Sequence, residues 1–183
     1  RWLKNPQSHY IETREESFIL NLTAPQQGER FLEVGCGTGN HLHLFRNQGC
    51  TVAGVESSSS LLEKARQKLG NKAELYQGRA EDLPFSDNEF DIVSLVISLL
   101  STDDLEKSIS EAIRVCQGRV FIGAMNRLSF AALELKVHEL FKPSLFRDPR
   151  FSYVVELRGI IKRLLPGVHI EWGSVIFLPM GWK

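Results

Sequence analysis

The sequence predicts an α/β fold in which a mostly parallel sheet carries helices on both faces. Short apolar runs alternate with amphipathic stretches along the 183 residues, which is the pattern of strands joined by helical crossovers. The strongly apolar run at residues 92–97 indicates a strand buried on both faces, as in the centre of a parallel sheet. Three alternating glycines, Gly35, Gly37 and Gly39, follow the first apolar run and predict a tight turn that leads into a helix.

Charge and cysteine content exclude several classes of protein. Lysine and arginine together number 22, as do aspartate and glutamate, which argues against a dedicated nucleic-acid surface or a helix that binds anionic membranes. No apolar run approaches the roughly 20 residues of a membrane span, and no signal peptide is visible. Cys36, Cys50 and Cys116 have unrelated spacings, which indicates free thiols in a reducing cytoplasm rather than disulfides or a zinc site.

Periodicity and turn residues place seven strands along a single domain. The strands are predicted at residues 31–34, 51–56, 73–77, 90–97, 119–124, 168–172 and 174–178, the last two as a terminal pair. Helices are predicted at residues 12–22, 40–48, 129–141 and 153–165, and around the apolar positions of 61–69 and 105–116. The serines at 57–60 offer N-caps, and Thr102 or Asp103 is expected to cap the helix that follows.

Two acidic residues accompany the glycine turn. Glu33 lies in the first strand, and Glu56 closes the second strand seventeen residues past Gly39. A carboxylate at that place in an α/β sheet grips the ribose hydroxyls of an adenosine cofactor. The turn and the two acids together therefore predict a nucleoside site at the end of the first strand.

The segment Leu32-Glu33-Val34-Gly35-Cys36-Gly37-Thr38-Gly39 resembles the first motif of the class I S-adenosylmethionine-dependent methyltransferases, and specifically their type 11-like, small-molecule branch. A dinucleotide fingerprint would place its third glycine where this chain has Asn40, whereas here it is Gly39. The segment Gly78-Arg79-Ala80-Glu81-Asp82-Leu83-Pro84-Phe85 also resembles the family, in which an acid after the third strand faces the adenine amine. Glu111-Ala112-Ile113-Arg114-Val115 is similar to a third family segment, although the turn after it is shorter here.

The resemblance implies a Rossmann-like methyltransferase fold with a seven-stranded sheet and a terminal antiparallel strand. Residues 1–28 would be a helical cover, 29–124 the cofactor-binding core, and 125–183 the substrate-side helices and terminal strand pair. The implied cofactor is S-adenosylmethionine, with S-adenosylhomocysteine as product. The implied cofactor-binding residues are Tyr10, Glu33, Gly35, Cys36, Gly37, Gly39, Asn40, Glu56, Ser57, Ala80, Glu81, Asp82, Leu83, Val96 and Ile97.

The methyl acceptor is predicted to be a small molecule. Residues 96–99 lack the Asn/Asp-Pro-Pro-Tyr/Phe segment of the DNA amino-methyltransferases, and no cysteine follows a proline as cytosine-C5 enzymes require. Asn126 and Arg127, after the fifth strand, are candidates for acceptor contacts. The sequence shows no fixed set of catalytic residues. Each of the five histidines is a candidate base, although a single histidine is more often a structural or surface residue.

Two alternatives remain open from the sequence. One is a nicotinamide-dependent oxidoreductase, which Asn40 and the lack of a Tyr-x-x-x-Lys pair disfavour. The other is a module that binds S-adenosylmethionine without catalysis and serves a partner protein. We expect a cytoplasmic monomer or weak homodimer that contains no metal and acts on neither nucleic acid nor membrane.

Overall fold

The computed structural model describes residues 6–96, 102–123 and 154–174, with the backbone alone for residues 6–12 and 154. These residues form five strands and five α-helices. The strands are β1 (Arg30–Val34), β2 (Thr51–Glu56), β3 (Glu74–Gln77), β4 (Phe90–Val96) and β5 (Cys116–Gly123). The helices are α1 (Pro6–Thr23), α2 (Asn40–Asn47), α3 (Ser59–Leu69), α4 (Leu105–Val115) and α5 (Val154–Leu164).

All five strands are parallel and lie in the order β3-β2-β1-β4-β5. The chain adds β2 and β3 on one side of β1 and then crosses to the other side for β4 and β5. The order therefore reverses between β1 and β4, and ligands of open α/β sheets bind at such a point, outside the carboxyl ends of the strands. The bend that follows β1 lies there.

Helices cover both faces of this sheet, as predicted. Leu32 and Val34 of β1 belong to one buried cluster, which also contains residues of α4 and α5. Phe31, the alternate residue, belongs to a second cluster with α2, where its ring stacks on that of Phe45 at 3.7 Å between centroids. Because successive side chains of a strand point to opposite faces, β1 anchors both layers.

The beginning of α4 and of β5 differs from the sequence prediction. Asp104, rather than Thr102 or Asp103, caps α4, because its carboxylate accepts the N–H of Lys107 at 3.0 Å. β5 begins at Cys116, directly after α4, three residues earlier than expected. Gly118 permits this early pairing, since a Cβ at that position would lie 2.4 Å from the carbonyl oxygen of Asp91.

The predicted strand at residues 168–172 is wrong. This segment leaves α5 through a turn and pairs with none of the described strands, and the side chain of Trp172 is exposed. Ser174 is not in a strand either, and residues 175–178 lie outside the described part of the chain, as does the predicted helix at 129–141. The described sheet therefore has five strands instead of seven, and the terminal antiparallel strand is not among them.

A partly buried ion pair on α4, between Arg114 and Glu111, holds the loop between β3 and β4. The guanidinium of Arg114 donates to Glu111, to Asp87, and to the carbonyl oxygens of Leu83 (3.1 Å) and Phe85 (2.9 Å). Glu111 in turn accepts the N–H of Leu83 at 2.9 Å. The hydrogen bond from Arg114 lowers the pKa of the Glu111 carboxyl, which keeps the pair charged.

Replacement of Arg114 by methionine tests this anchor. We expect Arg114→Met to lower the free energy of unfolding by about 1–3 kcal/mol, because two carbonyl oxygens and a half-buried carboxylate lose their donor. Chemical denaturation measures the change. The matched control is Arg66→Met on the exposed side of α3, which should change stability by less than about 0.5 kcal/mol. Equal losses in the two variants would contradict the anchoring role.

Candidate cofactor site

The bend between β1 and α2 has a backbone that only glycine adopts without strain. The φ angles of Gly35, Gly37 and Gly39 are 77°, 54° and 78°. These values lie in the left-handed region, where a Cβ collides with the backbone. The three alternating glycines of the sequence are thus the three residues of the bend with positive φ.

Most amides of the bend are bound within the protein. The N–H groups of Gly35 and Cys36 donate to the carbonyl oxygen of Val55 at 2.7 and 3.0 Å, and that of Gly39 donates to Cys36. The glycines therefore contribute to a ligand site mainly by leaving space beside the backbone, and less by offering unbonded N–H groups. Apart from the adjoining residues of the bend, no atom of the described residues lies within 4 Å of the place where a Cβ of Gly37 would stand.

Glu56 connects the bend to the loop after β2. One carboxylate oxygen accepts the N–H of Gly37 at 2.9 Å, and the other accepts the N–H of Ser58 at 2.8 Å and the hydroxyl of Ser57 at 3.4 Å. The residue is 7% exposed. The sequence placed this acid beside the glycine turn from its spacing alone, and the structure brings the two together.

Close packing behind the bend depends on Gly54 of β2. A Cβ at this position would lie 2.8 Å from both the Sγ of Cys36 and a methyl of Leu42. Burial, together with the charges of Glu33 and Glu56, raises the pKa of the Cys36 thiol to about 12. Cys36 is therefore a packing residue and not a thiolate nucleophile. The sequence reasoning missed Gly54, although a glycine inside a strand signals such close approach.

Glu33 lies buried under the bend and pairs with a histidine. Its Oε1 is 2.6 Å from Nδ1 of His41, in the first turn of α2. Its Oε2 is buried and has no hydrogen-bond partner among the described residues. Burial raises the pKa of the Glu33 carboxyl, and the bond to His41 offsets this only in part. From the sequence His41 was one of five candidate bases, and nothing in its spacing reveals the pairing with Glu33.

The beginning of α2 directly follows the bend. Gly39 precedes the helix and has no side chain that could cap it, and the first turn contains no acidic residue. The N–H groups at such a helix start favour an anionic group. Asn40 is exposed, and its side-chain oxygen accepts a hydrogen bond from Lys68 of α3.

The loop after β3 separates its two acids into different environments. Glu81 is buried, and one of its oxygens accepts the hydroxyl of Thr102 at 2.7 Å and the N–H of Asp103 at 2.8 Å. Burial acts to raise the pKa of Glu81, but these bonds outweigh it and lower the pKa to about 2. Glu81 thus anchors the segment before α4, while Asp82 is exposed.

Some of the remaining residues predicted to contact the cofactor or the acceptor belong to the described part of the chain, and others do not. Leu83 is 3% exposed and packs in the core, Ala80 is half-buried, and Val96 ends β4 with 6% exposure. Ile97, Asn126, Arg127 and the side chain of Tyr10 lie outside the described residues. Among the residues that are described, no cluster of three metal-ligating side chains occurs, and no helix is long and apolar enough to cross a membrane.

Comparison with known proteins agrees with this geometry. A family described as a methyltransferase domain matches residues 32–122. A demethylmenaquinone methyltransferase of Clavibacter sepedonicus is 33% identical over 103 residues, which are 54% of this chain and 42% of that protein. A 2-phytyl-1,4-naphtoquinone methyltransferase of a Nostoc strain is 34% identical over 108 residues, 55% of this chain and 47% of that protein. The chain therefore spans about half the length of these relatives.

A solved structure shows the same fold. The crystal structure of the YcgJ protein of Bacillus subtilis superposes with a TM-score of 0.68 at 22% identity, covering 83% of this chain and 68% of that one. The shared fold, the matching family and the glycine bend with its two acids lead to one conclusion. The chain belongs to the class I S-adenosylmethionine-dependent methyltransferases.

Proposed function

We propose that this chain binds S-adenosylmethionine at the bend after β1 and transfers its methyl group to a small-molecule acceptor. The observation that carries the proposal is the position of Glu56. Its carboxylate is buried at the carboxyl end of β2, bonded to Gly37 at the open side of the bend. The bend itself follows β1, next to the point between β1 and β4 where the order of the sheet reverses and where ligands of such sheets bind.

The residues of the site fit an amino-acid-bearing nucleoside. Each carboxylate oxygen of Glu56 accepts one backbone N–H at short distance, and a carboxylate offers about four lone-pair sites, so it can accept sugar hydroxyls as well. The uncapped start of α2 suits the carboxylate of the amino-acid part. On the loop after β3, Asp82 is the exposed acid that can accept the adenine amine, because Glu81 is bonded internally.

The chemistry demands little from the protein in the way of acid or base groups. The cofactor supplies a methyl group on a positively charged sulfur, which departs as a neutral thioether. The chain's own residues have to align the acceptor with that methyl group and exclude water. This requirement agrees with a site built from a backbone bend, buried acids and apolar strand ends such as Val96.

The acceptor class is supported by two observations. The formal net charge of the chain is zero, which does not favour a polyanionic acceptor. Two relatives are named as methyltransferases of demethylmenaquinone and of a phytyl-naphthoquinone, although this chain spans only about half of each. We therefore favour a small, ring-bearing acceptor.

Replacement of Glu56 tests cofactor binding. We expect Glu56→Gln to weaken the affinity for S-adenosylhomocysteine about 10- to 100-fold, because the sugar hydroxyls lose a charged acceptor. Isothermal titration calorimetry measures the affinity. The glutamine retains one acceptor oxygen for the bend, and thermal unfolding verifies that the variant is folded.

The matched control is Glu63→Gln on the exposed side of α3, where the carboxylate accepts only Gln67 among described groups. This variant should bind as the unchanged protein does. A folded Glu56→Gln variant with unaltered affinity would contradict the proposed ribose contact.

A transfer assay tests the acceptor class. We expect label from S-adenosylmethionine carrying a radioactive methyl group to enter the organic-extractable fraction when reduced naphthoquinones that lack a ring methyl are supplied. DNA, RNA and protein serve as competing acceptors in parallel reactions. Label in a polymer would contradict the small-molecule acceptor. Tight cofactor binding without transfer to any acceptor would instead indicate a binding module without catalysis.

A further inference from the structure

In the buried pair Glu33–His41, one carboxylate oxygen has no partner among the residues that the structure describes. His41 bonds only Oε1 of the carboxylate, at 2.6 Å, and Oε2 has no partner within the described part of the chain. Glu33 is 3% exposed, and an unpaired carboxylate oxygen in such a place is costly. A positive charge placed at the bend above this carboxylate would offset the cost of its burial.

The surroundings of the pair are mostly acidic. The charges of Glu15 and Glu16 of α1 raise the pKa of His41. The charge of Glu56 of β2 raises the pKa of Glu33, whereas the positive charge of Lys68 of α3 lowers it. Burial acts to lower the pKa of His41, but the bond to Glu33 and the charges of Glu33, Glu15 and Glu16 outweigh it and raise the pKa. Below its raised pKa the imidazole of His41 carries both ring protons, with Nδ1–H donated to Glu33.

We propose that the Glu33–His41 pair exchanges its proton for the positive charge of the ligand, so that an ammonium-bearing cofactor binds at the bend with release of the Nε2 proton of His41. This inference rests on the proposed function, because it concerns the amino-acid end of the same ligand.

The exchange balances in charge and atoms. Before binding, the imidazolium of His41 compensates the carboxylate of Glu33. After binding, the ligand's ammonium compensates that carboxylate, Nδ1–H of the neutral imidazole still donates to Oε1, and the Nε2 proton passes to solvent. The ammonium keeps all its own protons, and no covalent bond within the ligand changes.

The exchange requires the ligand's ammonium to lie nearer the imidazole than the ligand's carboxylate does, because like charges repel strongly in a buried site. Oε2 is shielded from solvent, but a positive charge at the bend acts on the pair through the protein interior without contact. The ligand thus prefers the deprotonated imidazole. The affinity should rise with pH, by up to about tenfold per pH unit, until the pH exceeds the raised pKa of His41 in the free protein.

Calorimetry in buffers of different ionisation enthalpy measures the released proton. At pH about 6.5, where α-amino groups are still charged, we expect S-adenosylhomocysteine to release up to about one proton per molecule bound. 5′-Methylthioadenosine, which has the nucleoside and the sulfur but no amino-acid part, should bind with no release. His41→Gln, which keeps a hydrogen-bond donor for Glu33, should abolish the release and flatten the pH dependence of affinity.

The matched control is His43→Gln in the same helix, since His43 is exposed and contacts Asn47. This variant should release the proton as the unchanged protein does. Should His41→Gln not fold, NMR titration of the His41 ring replaces it, and the pKa of that ring should be lower with S-adenosylhomocysteine bound than without.

The outcomes separate this inference from the proposed function. Binding of S-adenosylhomocysteine without proton release, or release that persists in His41→Gln, overturns the exchange and leaves the cofactor site intact. Failure of both nucleosides to bind overturns the proposed function and the exchange with it. Release with S-adenosylhomocysteine alone, lost in His41→Gln and kept in His43→Gln, establishes the exchange.

Discussion

The site depends on the way the end of β2 holds the bend that follows β1. The carbonyl oxygen of Val55 accepts two amides of the bend, and the carboxylate of Glu56 accepts a third. Gly54, just before them, leaves room for the side chain of Cys36. Three consecutive residues of one strand thus fix the shape of a neighbouring loop. The same carboxylate still has lone pairs to offer, so the group that shapes the bend is also the one suited to a bound sugar.

The loop after β3 is held by charged residues that are bonded within the protein. Arg114 and Glu111 of α4 hold the loop after β3 at its later part, through Leu83 and Phe85. Glu81 holds the segment before α4. These hydrogen bonds join the loop after β3 to α4 and to the segment that precedes it. The alignment that methyl transfer requires can therefore be maintained without a dedicated catalytic side chain.

Local patterns were sufficient to predict the bend and β2. Positive φ angles require glycines, and an acid at the end of a strand directly follows an apolar run, so both features can be recognised within a few residues of sequence. The role of Glu81 could not be read in this way. As an acid in a polar loop it suggested a ligand contact, whereas the Thr102 hydroxyl and the Asp103 N–H that it accepts lie more than twenty residues away. The pairing of Glu33 with His41 was equally hidden, since it depends on how α2 turns its first residues over β1. The strand predicted at residues 168–172 was wrong for the opposite reason. The local pattern was typical of a strand, but the segment pairs with no strand among the described residues.

The bend and Glu56 are proposed to hold an amino-acid-bearing nucleoside together, and a crystal structure of the protein with S-adenosylhomocysteine would show whether they do. We expect the ligand along the open side of Gly37, with its ribose hydroxyls within hydrogen-bond distance of the Glu56 carboxylate. Density for the ligand elsewhere on the sheet, or a ribose with no contact to Glu56, would contradict this expectation.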